Sequence, residues 1–291
     1  MNLKDHLPDQ LLQTFQSIIQ SDRLSHAYLF SGNYGSFEMA LYIAQSQFCE
    51  DPQDKLPCGE CRACRLVAEE EFSDLKIIEP SGQLIKTDTV RGMLREFSSS
   101  GFENQAQFFI IREADKMHPN AANSLLKYIE EPSSHSYMVL LTQEEDKVLP
   151  TIKSRTQVFS FPKDFAALSR FLEKKGLLKS QAQLIATLAR DYQEAEALAS
   201  QNKVLELMKD CQHFVSVLSR QENMAYLEVS RLVARCQEKS EQAYVFDMLT
   251  ALLAQSPDRG RAALVSKLYR ARQMWLSHVS FQNALEYMVI G

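Results

Sequence analysis

Short apolar runs recur through the first part of the chain, separated by longer segments in which apolar residues return at helical spacing. The runs occupy residues 27–30, 75–78, 107–111, 137–142 and 157–161. The helical spacing puts Leu11, Leu12, Phe15, Ile18 and Ile19 on one face from about Pro8, Val90, Met93, Leu94 and Phe97 on a second, and Ala122, Leu125, Leu126 and Ile129 on a third. Strands alternating with helices predict an α/β fold, a parallel sheet with helices on both faces.

Helix-breaking residues divide the chain near residue 163. Eight of the nine prolines and six of the nine glycines lie before Lys163. Because the remainder is rich in helix formers and nearly free of breakers, we expect it to be almost wholly helical. Two short helical stretches are predicted around 165–174 and 180–198, followed by longer ones.

The composition is typical of a soluble globular protein, with 45% hydrophobic and 24% charged residues and no apolar segment long enough to span a bilayer. The formal net charge of -5 argues against a protein that coats nucleic acid by bulk electrostatics, while a local basic patch stays open. The N-terminal "MNLKDHLPDQ" lacks the basic and apolar regions of a signal peptide, so we expect a cytoplasmic protein.

Four of the six cysteines cluster in one short segment, which indicates a shared local role. Cys49, Cys58, Cys61 and Cys64 follow the spacing C-x8-C-x2-C-x2-C, with Gly59 where the chain must reverse between ligands. Four thiolates can close a tetrahedral zinc site with no open position, which is the structural kind. In a reducing compartment disulfides are the less favoured alternative. The isolated Cys211 and Cys236 are interpreted as small core residues.

The stretch "HAYLFSGNYGSFEMALYIAQ" predicts a strand, a glycine turn and a helix, the arrangement of a phosphate-binding loop G-x-x-x-x-G-K-[ST]. Gly32 is in place and Gly35 is one of the four spacer residues, but the last three positions are Phe37, Glu38 and Met39. The ring replaces the glycine that lets backbone approach phosphate, the carboxylate replaces the lysine that attracts it, and the thioether replaces the hydroxyl that a hard cation needs. We expect no ATP at this loop.

The acidic element that would complete a nucleotide site is also altered. After the strand "QFFII" an ATPase places an acidic pair, whose first residue helps to hold Mg²⁺ and whose second polarises water. Here Arg112 takes the first place and Glu113 the second. The metal position is therefore cationic, and the sequence predicts a nucleotide-binding architecture without its chemistry.

Four segments together carry a resemblance to a known family. "HAYLFSG", the four-cysteine spacing, "NAANSLLKYIEEP" and "LPTIKSRT" have the order and spacing found in bacterial DNA polymerase III clamp-loader subunits of the AAA+ superfamily, over about residues 5–165. The resemblance implies a RecA-like sheet domain over 1–162 with its zinc knuckle at 49–64. It also implies a small helical lid over 163–207 and a helical collar over 208–291 that joins five subunits in a ring.

The resemblance also implies a function. Clamp loaders open the sliding clamp and load it onto primed DNA, and the degenerate loop is similar to that of the family's non-catalytic member, whose partners are the gamma/tau and delta subunits. Such a chain is not an enzyme by itself, but an accessory subunit of a DNA-directed DNA polymerase, a nucleotidyltransferase complex. It carries structural zinc and is expected to bind no ATP.

One functional arginine is implied by the family position. A Ser-Arg-Cys motif in this family provides an arginine finger to the ATP of a neighbouring subunit, and here Ser154 and Arg155 match while Thr156 departs. A fixed guanidinium can stabilise charge on a transferred phosphoryl group without otherwise binding that nucleotide. Without the family position, an ordinary surface arginine would be the favoured interpretation.

Further positions match the family with weaker implications. Thr142 matches a residue that senses the γ-phosphate in active relatives, and we interpret it as vestigial. Asn123, Lys127 and the "EEP" at 130–132 match a helix near the central chamber, where a solvated Lys127 is favoured over contact with DNA. The tail has more apolar positions than one amphipathic stripe needs, namely Leu264, Leu268, Met274, Trp275 and Val279, enough for a core and a partner surface.

Two other functions stay open on sequence alone. The chain could be an AAA+ ATPase whose loop binds nucleotide in a divergent way, which titration with Mg-ATP would detect. It could instead be a zinc-dependent DNA-binding protein, although its acidic net charge argues against that.

Overall fold

A computed structural model describes residues 3–99, 106–131, 136–220, 224–255 and 260–290. They fall into two compact units, Met1–Asp164 and Phe165–Gly291. The first unit contains every strand found in the described residues, and the described elements of the second are all helices. The predicted division between an α/β part and a helical part follows the same line.

The first unit is built on five strands: β1 Ala27–Ser31, β2 Leu75–Ile78, β3 Gln107–Ile111, β4 Ser136–Thr142 and β5 Gln157–Ser160. Their order in the sheet is β2-β3-β4-β1-β5, and every pair is parallel. All five predicted strands are therefore confirmed within one or two residues. The three inner strands are the most apolar because both of their faces are covered.

Helices cover the sheet on both sides. They are α1 Asp9–Gln20, α2 Ser36–Phe48, α3 Arg62–Ala68, α4 Thr87–Ser99, α5 Pro119–Glu130 and α6 Pro150–Lys153, with 3₁₀ turns at Leu3–His6, Ala114–Lys116 and Glu145–Lys147. On β1 alternate residues point to opposite faces, so Tyr28 and Phe30 pack with α1 and α2, whereas Ala27 and Leu29 pack with α4 and α5. Two cores result, one on each face of the sheet.

The second unit contains the remaining helices: α7 Phe165–Lys174, α8 Lys179–Leu188, α9 Tyr192–Ser200, α10 Asn202–Ser219, α11 Ala225–Arg235, α12 Lys239–Gln255, α13 Arg261–Leu276 and α14 Phe281–Ile290. The prediction of an almost wholly helical tail is confirmed over its described residues. The predicted boundary between lid and collar at 207/208 lies inside α10, and this finer division stays a prediction.

The predicted helical stretch over 180–198 is wrong in one respect, because α8 and α9 are separate helices. Ala189 leaves the helix with an extended backbone, and Asp191 then caps α9 by accepting a hydrogen bond from the Glu194 N–H at 2.7 Å. The Glu194 carboxylate in turn accepts the backbone N–H of Arg190 at 2.7 Å. These side chains satisfy the amides that a continuous helix would have paired.

Within the ranges given above, the structure has no helix with the length and apolarity needed to cross a membrane. The cytoplasmic location stays a prediction.

Candidate functional site

The turn between β1 and α2 keeps the backbone of a glycine loop. Gly32 and Gly35 have φ of +105° and +80°, a region that favours glycine, and Gly35 is the residue before α2. A Cβ on Gly32 would lie 2.1 Å from the carbonyl oxygen of Phe161, and one on Gly35 would lie 2.6 Å from that of His6. Both glycines therefore face the chain's own backbone.

The three altered positions occupy the first turn of α2. Glu38 is 3% exposed and Met39 is fully buried in the core on the α1 side of the sheet, whereas Phe37 is half-buried. A buried carboxylate and a buried thioether therefore take the places of the ammonium and the hydroxyl that a phosphate loop presents to its ligand.

Arg112 lies directly after β3 and stacks on the altered loop. Its guanidinium carbon is 3.6 Å from the centroid of the Phe37 ring, and it forms ion pairs with Glu79 and, at 3.3 Å, with Glu70. Glu113 is ion-paired with Lys116 and has a left-handed backbone with φ of +51°. The structure therefore brings the altered loop and the altered acidic element together.

Thr142, at the end of β4, is buried and makes local hydrogen bonds. Its hydroxyl donates to the Asp115 carboxylate at 2.7 Å and accepts the Glu144 backbone N–H at 3.1 Å. The Thr142 carbonyl accepts the Gly32 N–H at 2.8 Å, which extends the pairing of β1 and β4 into the loop. Spacing and periodicity did not indicate the Asp115 contact, because Asp115 lies in a 3₁₀ turn after the altered pair.

Arg155 lies at the surface just after the short helix α6. Its Nε donates to the carboxylate of Glu130, and its Nη1 donates to the Thr151 carbonyl at 3.1 Å and the Ser154 hydroxyl at 3.2 Å. Its side chain is 38% exposed. Because an exposed ion pair is worth less than about 1 kcal/mol, a competing anion can replace Glu130 at little cost.

The helix α5 presents a polar face next to this arginine. Asn123, Lys127 and Glu130 are exposed on it, whereas Ala122, Leu125 and Ile129 pack beneath. Pro132, the last residue of the "EEP" segment, lies outside the described residues. Glu130 is a partner of Arg155 that the sequence did not reveal, because the two residues are 25 positions apart.

The four clustered cysteines converge in space. Their sulfur atoms all lie within 4.8 Å of one another, with 3.5 Å between Cys49 and Cys58 and 4.0 Å between Cys58 and Cys64. Gly59 has φ of +80° and makes the reversal between ligands. Four sulfur atoms at these distances can coordinate one zinc ion tetrahedrally, which would leave no open position for a substrate.

Backbone amides point at these sulfurs. The N–H groups of Cys58, Cys61 and Cys64 donate to the sulfurs of Cys49, Cys58 and Cys61 at 3.3, 3.4 and 3.4 Å. Backbone hydrogen bonds from Glu60 and Cys61 lower the pKa of Cys58 to about 7, because they favour its thiolate. Burial raises the pKa of Cys49 and, more strongly, that of Cys64.

The cysteine segment is docked on α1 and α2. The buried Gln45 of α2 donates its amide to the Cys64 carbonyl at 2.7 Å, and Gln20 of α1 donates to Asp54 at 2.6 Å. Neither glutamine was singled out by spacing, because polar residues on a helix give no sign of a tertiary partner. Cys211 and Cys236 are buried, which fits their interpretation as core residues, and burial raises the pKa of both.

Comparison with known proteins gives the family. The family described as DNA polymerase III, delta subunit, matches residues 7–165. The delta-prime subunit of DNA polymerase III from Bacillus subtilis is 32% identical over 249 residues, covering 84% of this chain and 75% of that protein. The chain belongs to the delta-prime family of DNA polymerase III subunits. It is thus a clamp-loader-type subunit, and the resemblance inferred from its motifs is confirmed.

Further relatives of this chain support its assignment to the delta-prime family. The Pseudomonas aeruginosa delta-prime subunit is 34% identical over 149 residues, covering 50% of this chain and 45% of that protein. The gamma/tau subunit of Mycobacterium tuberculosis is 31% identical over 172 residues, covering 56% of this chain and 30% of that protein. A Thermotoga maritima protein related to the gamma subunit matches with a TM-score of 0.50 at 21% identity, covering 96% and 97% of the two chains, which shows the shared fold. The predicted RecA-like AAA+ sheet domain, followed by a helical C-terminal region, is confirmed.

Proposed function

We propose that this chain is a non-catalytic clamp-loader subunit that binds no ATP and provides Arg155 to an ATP bound by a gamma/tau neighbour. In the assembly it helps to hold a pentameric ring with gamma/tau and delta subunits that loads the sliding clamp onto primed DNA. The observation that carries the proposal is the contrast between the two sites: the loop at 32–39 has a phosphate-binding backbone without phosphate-binding side chains, whereas Arg155 is exposed.

The loss of nucleotide binding is argued from charge and space. Position 38 carries a buried carboxylate in place of the lysine that attracts the phosphates, and such an attraction is worth roughly 4 kcal/mol at about 4 Å and an effective dielectric constant of 20. Phe37 adds a side chain where the loop needs glycine. Arg112 replaces the residue that would help to hold Mg²⁺ with a cation, and it is already stacked on Phe37.

The role of Arg155 is supported by its position and its weak internal partner. The guanidinium is held by Glu130 and by the neighbouring Thr151 carbonyl, so its direction is restrained while part of it faces solvent. A phosphate accepts hydrogen bonds from the planar guanidinium of arginine more strongly than a solvated carboxylate does. A guanidinium placed beside the charge that develops on a transferred phosphoryl group can lower the barrier to the transfer. The subunit that provides the guanidinium need not bind the nucleotide itself.

Assembly is supported by the outer side of α13. Val265, Tyr269 and Leu276 are 38%, 65% and 56% exposed, and on a helix they lie within an arc of about 40°. Leu268 and Ala271, about 80° and 140° around the helix from the centre of that arc, are buried. A helix with apolar residues on both sides fits the proposed collar, in which one side packs internally and the other packs against a neighbouring subunit.

Structural zinc is the cofactor that the cysteine cluster fits best. The ion would be held by Cys49, Cys58, Cys61 and Cys64 and would supply no chemistry beyond holding the 49–64 segment in place. The hydrogen bond from Gln45 to the Cys64 carbonyl would link the ordered segment to α2.

Isothermal titration of the purified chain with Mg-ATP tests the first part of the proposal. No heat of binding is expected up to millimolar nucleotide, and Glu38→Lys alone should not create binding because Phe37 and Arg112 still occupy the loop. Micromolar binding by the unmodified chain would contradict the proposal. It would favour a divergent ATPase, for which the retained glycine turn is the supporting observation.

A further inference from the structure

Phe37 and Arg112 are two of the positions whose residue types depart from a phosphate-binding loop and its acidic element. Phe37 stands at the end of the glycine loop, and Arg112 stands at the carboxyl end of β3. The guanidinium carbon lies 3.6 Å from the ring centroid, which is van der Waals contact. The two altered positions therefore make a direct contact with each other.

Two carboxylates hold the arginine in that position. Glu79 directly follows β2, and Glu70 lies just beyond α3, so the ion pairs come from two different elements. The Arg112 backbone N–H also donates to the Ile78 carbonyl at 2.9 Å, which fixes the start of its side chain. Through one guanidinium the structure joins α2, α3, β2 and β3.

The surrounding charges explain why an acid cannot simply return to this position. An aspartate at 112 would face Glu70 and Glu79 with no cation between them, and like charges at such distances repel. The charge of Arg112 thus complements the carboxylates of Glu70 and Glu79. The aromatic ring of Phe37 offers the face on which the guanidinium can stack.

A second internal contact lies one strand further along. The Thr142 hydroxyl donates to the Asp115 carboxylate at 2.7 Å, which ties the end of β4 to the turn after β3. The Gly32 N–H donates to the Thr142 carbonyl at 2.8 Å, which ties that strand to the loop. Groups that surround the loop are therefore satisfied by one another.

We propose that the Phe37–Arg112 stack, with Glu70 and Glu79, is a built-in substitute for a bound nucleotide. It holds the first turn of α2 to the carboxyl ends of β2 and β3 in the absence of any ligand. The inference rests on the proposed function in one respect, namely that this loop carries no ATP. It adds that the altered residues have acquired a positioning role of their own.

A double-mutant cycle on the full chain tests the stack. Phe37→Leu removes the ring face while keeping most of the apolar volume, and Arg112→Gln removes the charge and the guanidinium plane while keeping a polar side chain. Opening of the loop is measured by hydrogen exchange of the Ser36–Phe48 and Gln107–Ile111 segments, because the sole tryptophan, Trp275, lies in the other unit and does not report on this one. Lys163→Gln is the matched control, since Lys163 lies over the ring of Tyr34 at 5.2 Å and not over Phe37.

Each single change should speed exchange in both segments, including the segment that it does not belong to. The increase caused by Phe37→Leu should fall by about half or more when Arg112 is already glutamine, because the shared contact is already lost. Phe37→Leu and Lys163→Gln should act independently. Independent effects of Phe37→Leu and Arg112→Gln would overturn the inference, even if the chain binds no ATP. Binding of Mg-ATP by the unmodified chain would instead contradict the proposed function.

Discussion

At the scale of single residues, the glycine turn has a structural reason to persist without a ligand. Gly32 lies against the carbonyl of Phe161 and Gly35 against that of His6, each closer than any Cβ could approach. Both also have positive φ. Phosphate binding and close packing against the chain's own backbone therefore both favour glycine. Glycines in this turn do not by themselves indicate a phosphate site.

Gly32→Ala should destabilise the first unit strongly. A left-handed backbone costs an alanine about 1–2 kcal/mol, and the Cβ placed 2.1 Å from the Phe161 oxygen forces a further shift of backbone. We expect a total loss of about 3 kcal/mol or more in the free energy of unfolding, measured by urea denaturation.

Gly82→Ala is the matched control for this change. Gly82 also has positive φ, +91°, but a Cβ there would meet nothing within 4 Å. It should cost about 1–2 kcal/mol from the backbone alone. Equal losses for the two variants would show that the Phe161 contact is relaxed in solution.

Cys58 should be the most reactive thiol of the cluster in metal-free protein. Its pKa of about 7 lies below the usual value of 9.0, so its thiolate is present above pH 7 and is lost as the pH falls through that value. Burial raises the pKa of Cys64, which therefore stays a thiol over this range. Iodoacetamide labelling followed by mass spectrometry should show Cys58 modified first, at a rate that falls roughly tenfold per pH unit below 7.

Zinc should suppress that reaction. Added Zn²⁺ is expected to protect all four cysteines, while buried Cys211 stays unmodified with or without metal. Labelling of Cys58 that is unaffected by zinc, or that is fastest at Cys64, would contradict the geometry of the cluster.

At the scale of elements, the strands were predictable and one helix break was not. Short apolar runs predicted all five strands, although only the three inner ones are covered on both faces and the edge strands β2 and β5 are partly exposed. The break between α8 and α9 has neither glycine nor proline. It depends on Asp191 as a helix cap, and an aspartate in a helical pattern is as often an ordinary exposed residue.

Asp191→Ala should destabilise the helical unit by about 1 kcal/mol, the usual cost of losing a side-chain cap. The change removes the 2.7 Å hydrogen bond to the Glu194 N–H. Gln201→Ala is a matched control, since Gln201 precedes α10 without a side-chain cap bond. Urea unfolding followed by Trp275 fluorescence reports this unit, and equal effects of the two changes would count against the cap.

The candidate site was only partly predictable, and the reason is geometric. Residue types at 37–39 and 112 predict from the sequence that nucleotide chemistry is missing, because each change reverses a charge, removes a ligand atom or, at Phe37, adds a ring where the backbone would approach phosphate. The contact between Phe37 and Arg112 was not foreseen, and neither were the ion pairs to Glu70 and Glu79. Such contacts join residues that are far apart in the chain, which periodicity and spacing do not report.

At the scale of the whole molecule, two properties that coincide in an active ATPase are separated in this chain. The loop that would bind nucleotide is closed by the chain's own side chains, whereas the arginine proposed to act on nucleotide is exposed and weakly held. On this account the chain contributes to ATP hydrolysis only within an assembly.

The rate of clamp loading by a reconstituted complex that carries Arg155→Ala tests this account most directly. Removing one charge-stabilising donor typically lowers the rate at its site on the order of 100-fold, so we predict a large loss of clamp loading with assembly intact by gel filtration. Arg155→Lys should recover only part of the activity, because a point charge lacks the planar fork. Lys153→Ala, which removes a cation from the short helix just before Arg155, should leave the rate unchanged. Clamp loading by Arg155→Ala at the unmodified rate would contradict the account.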